Sequence, residues 1–266
     1  CKYTDLCGEI YPGAPFANGR PGISELYPYD NSTFPEWKAK EMRRAYWASL
    51  SYTDSNIGRV VDSLDASSFS KNTVIALWGD HGYALGDNAN WAKQTNFEHA
   101  THIPFMIHVP GFKGGRSDAL VEAIDLFPTL IEAATMFNPH GPSSIPACAD
   151  TTTSRNTAMC TEGHSLMPLI QNTSAYWGRA SFSQFTRSGS CCDCRGGEGA
   201  CCACDVPNPN NGDVIMGYTV RVDKYRYTAW FQFNVSSATR NTTNVLATEL
   251  YEHTEAILPI DWGVER

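Results

Sequence analysis

The chain has 266 residues, 42% hydrophobic and 18% charged, enough for a sizeable core and for two domains. Its formal net charge of -8 argues against wrapping a nucleic-acid backbone, but leaves room for a local cationic pocket facing an acidic substrate. No apolar run of about 18 residues occurs, so no membrane span is expected, and no signal peptide is visible.

Ten cysteines are many for a cytosolic protein, and their number is even. Four N-x-[ST] sequons stand at Asn31, Asn172, Asn234 and Asn241. Together they predict an oxidising, secretory-pathway environment and glycosylation at those asparagines.

Residues 1–35 are rich in Gly, Pro and Tyr and read as surface loop, with an abrupt start at Cys1 that looks internal. Thr33-Phe34-Pro35-Glu36 is a capping box with proline in the first turn. A helix over about 36–67 should follow, since Met42, Tyr46, Leu50, Ile57, Val60, Val61 and Leu64 recur at helical spacings. Ser49 to Asp54 is weakly helical and is a candidate break. Tyr46 and Tyr52 are expected to pack against the sheet.

The chain is organised around Thr73-Val74-Ile75-Ala76-Leu77-Trp78-Gly79-Asp80-His81. Val74 to Trp78 is a continuous apolar run without alternation, the length of a buried strand. An acid and an imidazole follow it directly. Ligands of open α/β sheets sit at the carboxyl ends of strands. Residues 82–100 read as an irregular loop without regular helix, and Ile103 to Pro110 as a second strand. Ala119 to Phe137 reads as a helix in two parts around Pro128. Residues 138–172 are loop-like, and a local disulfide between Cys148 and Cys160 would close a short turn.

Composition changes near residue 172. Strands are expected at 178–186, 214–223, 226–234 and near 247–252, with a tight hairpin turn at Asp223-Lys224. Between the first two lies a duplicated C-C-x-C, at Cys191-Cys192-Asp193-Cys194 and Cys201-Cys202-Ala203-Cys204. Six thiolates could hold zinc or an iron–sulfur cluster. A disulfide-stapled loop fits the compartment better, with fifteen internal pairings open.

Around the central strand the chain resembles the sulfatase family, and its iduronate-2-sulfatase-like branch in particular. The residues that carry the resemblance are Asp80-His81-Gly82-Tyr83-Ala84-Leu85-Gly86, the segment from Trp91 through Lys93 to Phe97-Glu98, and Thr101-His102-Ile103-Pro104. The resemblance implies an α/β fold: a sulfatase/alkaline-phosphatase-like sheet flanked by helices over 1–172, corresponding to the C-terminal part of the large domain. A small antiparallel-sheet subdomain over 173–266 then carries the cysteine-rich insert 191–204.

The resemblance also implies a calcium-dependent hydrolase of sulfate esters, acting on sulfated carbohydrate in a lysosomal or extracellular setting. Asp80 and His81 would be metal ligands. Lys93 would contact the sulfate and assist the leaving group, His102 would lie near the pocket, and Tyr83 would face substrate. A comparable disulfide accompanies the Cys148–Cys160 loop in such chains.

Asp87-Asn88-Ala89 departs from the family's acid-histidine pattern, since Asn88 supplies no cation. No C-x-P-x-R motif occurs in these residues. The formylglycine nucleophile, and the paired acids that complete the metal site, are therefore expected on an N-terminal half of the same protein. A catalytically inactive, glycan-binding or structural glycoprotein is the alternative.

Overall fold

The computed structural model describes residues 36–86, 91–93, 95–136, 145–148, 150, 159–188, 213–234, 237 and 239–253, with backbone alone at 186–188 and 213–214. The capping-box residues 33–35, Asn31, Asn88 and the duplicated cysteine motif lie outside them. The described residues fall within two compact units. One comprises Cys1–Pro110, Phe185–Met216 and Gln232–Asn241, and the other Gly111–Gln184, Gly217–Phe231 and Thr242–Arg266.

The first helix, α1, is Glu36–Asp65, unbroken through Ser49–Asp54. Within that weak stretch Ser49 and Thr53 turn their hydroxyls back onto the Ala45 and Ser49 carbonyls, at 3.0 Å each. That satisfies the side chains without costing the helix its own ladder. Its apolar stripe is mostly uncovered: Tyr46, Leu50 and Val60 are exposed, and only Lys38 and Ala39 are buried. Tyr52, expected against the sheet, is 72% exposed.

Strand β1 (Ile75–Trp78) pairs with a strand at Phe105–His108, labelled β4 below. The two run antiparallel, with Ile75 opposite His108 and Trp78 opposite Phe105. The carboxyl end of β1 therefore lies beside the start of β4, and the loop between them returns to its own origin. That loop is less irregular than its sequence predicts. It holds a short ladder of β2 (Ala84–Leu85) with β3 (Trp91–Ala92), then one helical turn, α2 (Glu98–Thr101).

In the second unit the helix expected over 119–137 is shorter. Residues 119–122 form no helix, Ala123–Asp125 is a 3₁₀ turn, and α3 is Leu126–Met136. Pro128 does not divide it. It sits in the first turn, where a missing N–H costs no bond. Asp125 fixes the start: it is buried, its Oδ2 accepts from the Glu122 amide at 2.9 Å, and its Oδ1 from the His164 amide at 2.7 Å. Thr129, fully buried, donates to the Asp125 carbonyl and accepts from the Leu166 amide at 2.8 Å. These bonds seat the short helix α4 (Met167–Gln171), whose Met167 is fully buried. Cys148 and Cys160 form a disulfide, with a parallel bridge between Ala147 and Thr161 alongside.

A four-stranded sheet follows in the order β5 (Ser181–Ser188), β6 (Asp213–Arg221), β7 (Tyr225–Asn234), β8 (Thr239–Glu252). The β6–β7 turn is the tight one the sequence predicts: Val222 and Tyr225 exchange both backbone hydrogen bonds. Thr219 and Thr228 share a buried hydroxyl bond of 2.7 Å. Trp230 donates its indole N–H to Glu249, and Tyr251 its hydroxyl to the same carboxylate. Burial first, then the Glu249 charge, raises the Tyr251 phenol above its ordinary value. No helix among the described residues is long and apolar enough to cross a membrane.

Candidate functional site

The loop from β1 to β4 is held by close backbone approaches that need its glycines. The Gly79 amide donates to the Pro104 carbonyl at 3.0 Å, and Gly82 to Ala100 at 2.8 Å. A Cβ on Gly82 would lie 2.1 Å from the His99 carbonyl oxygen, so only glycine fits. Gly86 has φ +108°, and a Cβ there would meet the Arg43 guanidinium at 2.7 Å. Arg43 reaches across from α1. Its Nε donates to the Leu85 carbonyl at 2.8 Å, and its guanidinium lies 5.6 Å from the Trp91 ring centroid. Tyr46, one turn along α1, stacks on Tyr83 at 5.1 Å.

These constraints bring residues twelve apart into contact. Lys93 Nζ lies 2.6 Å from His81 Nε2, and His81 Nδ1 lies 2.8 Å from the Gly82 carbonyl. The geometry assigns the imidazole proton to Nδ1, donating to Gly82, and leaves Nε2 to accept from the lysine ammonium. Asp80 Oδ2 approaches the same Nε2 at 3.4 Å, which is an ion pair only for an imidazolium. The shorter lysine contact decides against a proton there. Asp80 Oδ1 accepts the His81 amide at 3.1 Å, yet the carboxylate is 86% exposed and keeps lone pairs for another partner.

Ala92 places the lysine. It is the only non-glycine described residue with positive φ, at 67°, and it is almost fully buried. A left-handed alanine costs about 1 kcal/mol or more and persists only where its surroundings hold it. Nothing in the sequence marks Ala92 or Arg43 for these roles, since both act through contacts far away in the chain.

Of the residues singled out from sequence, Asp80, His81 and Lys93 come together, and Tyr83 lies two residues beyond His81, on Tyr46. His102 caps α2 through its backbone, with its amide on the Glu98 carbonyl, and its side chain is exposed. No hydrogen bond joins its ring to His81 or Lys93 among the described residues. Of the sequon asparagines described, Asn172, Asn234 and Asn241 are all exposed.

A family model for sulfatases matches residues 19–136, the stretch that contains this loop. The chain belongs to the sulfatase family. Mouse iduronate 2-sulfatase is 31% identical over 258 residues, covering 82% of this chain and 43% of the mouse protein. The human enzyme is 30% identical over 253 residues, covering 80% of this chain and 42% of that one. The chain thus spans less than half the length of these sulfatase relatives. Among solved structures, a phosphonate monoester hydrolase from Silicibacter pomeroyi superposes with a TM-score of 0.55. It covers 89% of this chain and 43% of that one at 21% identity, a likeness of fold.

Proposed function

We propose that the protein hydrolyses sulfate esters of sulfated carbohydrate and that this chain supplies the Asp80–His81–Lys93 part of the active site. The observation that carries the reading is the 2.6 Å Lys93–His81 contact beside an exposed Asp80, built by the sulfatase-family loop. Lys93 offers a cation and transferable protons. His81 Nε2 holds the ammonium, so the lysine is oriented before substrate arrives, as electrostatic catalysis requires. In hydrolysis the sulfur–oxygen bond of the ester breaks, water supplies the new oxygen on sulfur, and the alkoxide leaves with a proton. Lys93 Nζ is the group here that can give that proton or hold a sulfate oxygen. His102 is a weaker candidate for the same pocket, and Tyr83 for contact with the sugar.

The family implies calcium and a formylglycine. Calcium takes six to eight oxygen ligands. Asp80 fits as one of them, whereas both nitrogens of His81 are engaged, so its imidazole fits better as the holder of Lys93 than as a ligand. The described residues contain no group of three or more acids, histidines or cysteines arranged for a metal. The remaining ligands and the nucleophile are assigned to an N-terminal half of the same protein. Bound calcium would draw charge from the sulfate oxygens. The exposed sequon asparagines and the Cys148–Cys160 disulfide support a glycosylated, secretory-pathway protein, lysosomal or extracellular.

The test is sulfate release from a sulfated uronic-acid disaccharide by the full-length protein. Chelation should abolish it and calcium restore it. Asp80→Asn should weaken calcium binding measured by calorimetry. Full activity after exhaustive chelation, or calcium affinity unchanged in D80N, would remove the metal from the account.

A further inference from the structure

The second unit holds a half-open cleft of about 550 Å³, lined among others by Glu122, Glu162, His164, Trp177, Arg179 and Phe182. All of these lie within residues 120–182, away in sequence from the Asp80–Lys93 loop. Its polar groups are largely uncommitted. The Trp177 indole N–H is buried without an acceptor. An unpaired buried donor is costly and calls for an explanation.

Arg179 lies 5.4 Å from the Trp177 ring centroid, exposed, with no carboxylate in salt-bridge range among the described residues. Glu162 and the His164 ring likewise have no hydrogen-bonding partner among the described residues. Glu122 accepts the Phe182 amide on Oε1 at 2.8 Å, and its side chain also accepts the Asp125 amide in a capping box, so it is built into the wall. Asp125 likewise has its two oxygens taken by backbone amides, so it too is wall rather than ligand. Apolar surface is present as well, in Leu120, Ile124 and the exposed Phe182.

An aromatic ring, one planar cation, one open carboxylate acceptor at Glu162 and a spare N–H donor suit a ligand with a hydroxyl donor and one anionic group. We propose that the cleft is a second binding site for one acidic sugar residue of a polysaccharide. Arg179 takes its sulfate or carboxylate, Glu162 accepts a hydroxyl proton, and Trp177 contributes ring contact and its N–H. Guanidinium binds such oxyanions through paired N–H donors. The choice of ligand rests on the sulfated-carbohydrate reading above; the existence of the site does not.

The experiment is calorimetric titration of the full-length protein with three probes: a heparin-derived tetrasaccharide, the same tetrasaccharide after desulfation, and neutral chitotetraose. Wild type is compared with Arg179→Gln, Trp177→Phe and Lys93→Met. Arg179 is exposed and Trp177→Phe keeps the ring, so circular dichroism should match wild type. The inference expects R179Q to weaken the charged probe about tenfold, one lost charged contact, W177F to weaken it several-fold, and K93M to leave this component intact. Loss of affinity on desulfation names sulfate as the anion, and retention names carboxylate. Wild type that fails to bind either charged probe overturns the site. So does binding unchanged in R179Q and W177F, or lost only in K93M. Binding that depends on Arg179 in a protein that releases no sulfate would sink the hydrolase reading and leave the cleft standing.

Discussion

The β1–β4 loop and the Trp177 cleft handle their polar groups in opposite ways. In the loop the groups answer one another: Lys93 meets His81, His81 meets Gly82, and Arg43 meets Leu85 and Trp91. In the cleft the Trp177 indole N–H has no acceptor, and Arg179 and Glu162 form no ion pair among the described residues. The first arrangement fixes geometry before a substrate comes, which suits chemistry. The second keeps donors and acceptors open, which suits binding alone. The two support systems differ too: the loop leans on glycines and a strained alanine, the cleft on buried carboxylate and hydroxyl bonds to backbone.

The loop's dependence on close approach breaks first. Gly82→Ala places a methyl against the His99 carbonyl, so the backbone must move. A loss of about 3 kcal/mol is expected in urea unfolding, with the Lys93–His81 contact gone from proton NMR. A variant as stable as wild type would show that the loop is not held this way. The packing that seats α4 follows. Thr129→Val keeps the shape but strands the Leu166 amide. About 2 kcal/mol should be lost, with activity on a small sulfate ester unchanged.

Arg43→Met removes one bond to Leu85 at an exposed position and should cost about 1 kcal/mol. Because the bond anchors the loop, the loss should appear in kcat/KM more than in melting temperature. The smallest effect is pH-dependent. Burial, the largest cause, raises the Glu122 carboxyl above its ordinary 4.5, although the Phe182 amide opposes it. The folded state therefore holds this proton more tightly than the unfolded state. Its stabilisation is full below the unfolded value and fades as pH rises through the raised one. Glu122→Gln has no such titration, so its melting temperature should gain on wild type as pH rises from about 4 toward neutrality. A constant difference would contradict the burial of that carboxyl.

What could be read from the sequence was local. The periodicity from Met42 to Leu64 marks α1, and the Asp223-Lys224 turn marks the hairpin, because both are encoded within one element. The Asp-His-Gly segment and Lys93 were legible by resemblance. The residues that make them a site were not. Arg43 acts across 42 positions, and Ala92 carries no mark of a positive φ. The start of α3 was misplaced for a related reason: apolar spacing extends back to Leu120, but Asp125 takes the Glu122 and His164 amides and caps the helix later. The Trp177 cleft depends on residues from 120 to 182 converging, and no short pattern announces that. Tyr52 looked like packing because its face of α1 is apolar, yet nothing described here covers it.

The central claim is that Lys93, held by His81, acts on a sulfate ester. The direct measurement is inorganic sulfate released from a 2-O-sulfated uronic-acid disaccharide by the full-length protein, wild type against Lys93→Met. The account predicts measurable release by wild type and a fall of about 10²-fold in kcat/KM for the variant, with the fold intact by circular dichroism. Release at the wild-type rate in the variant, or none from wild type supplied with calcium, would contradict it.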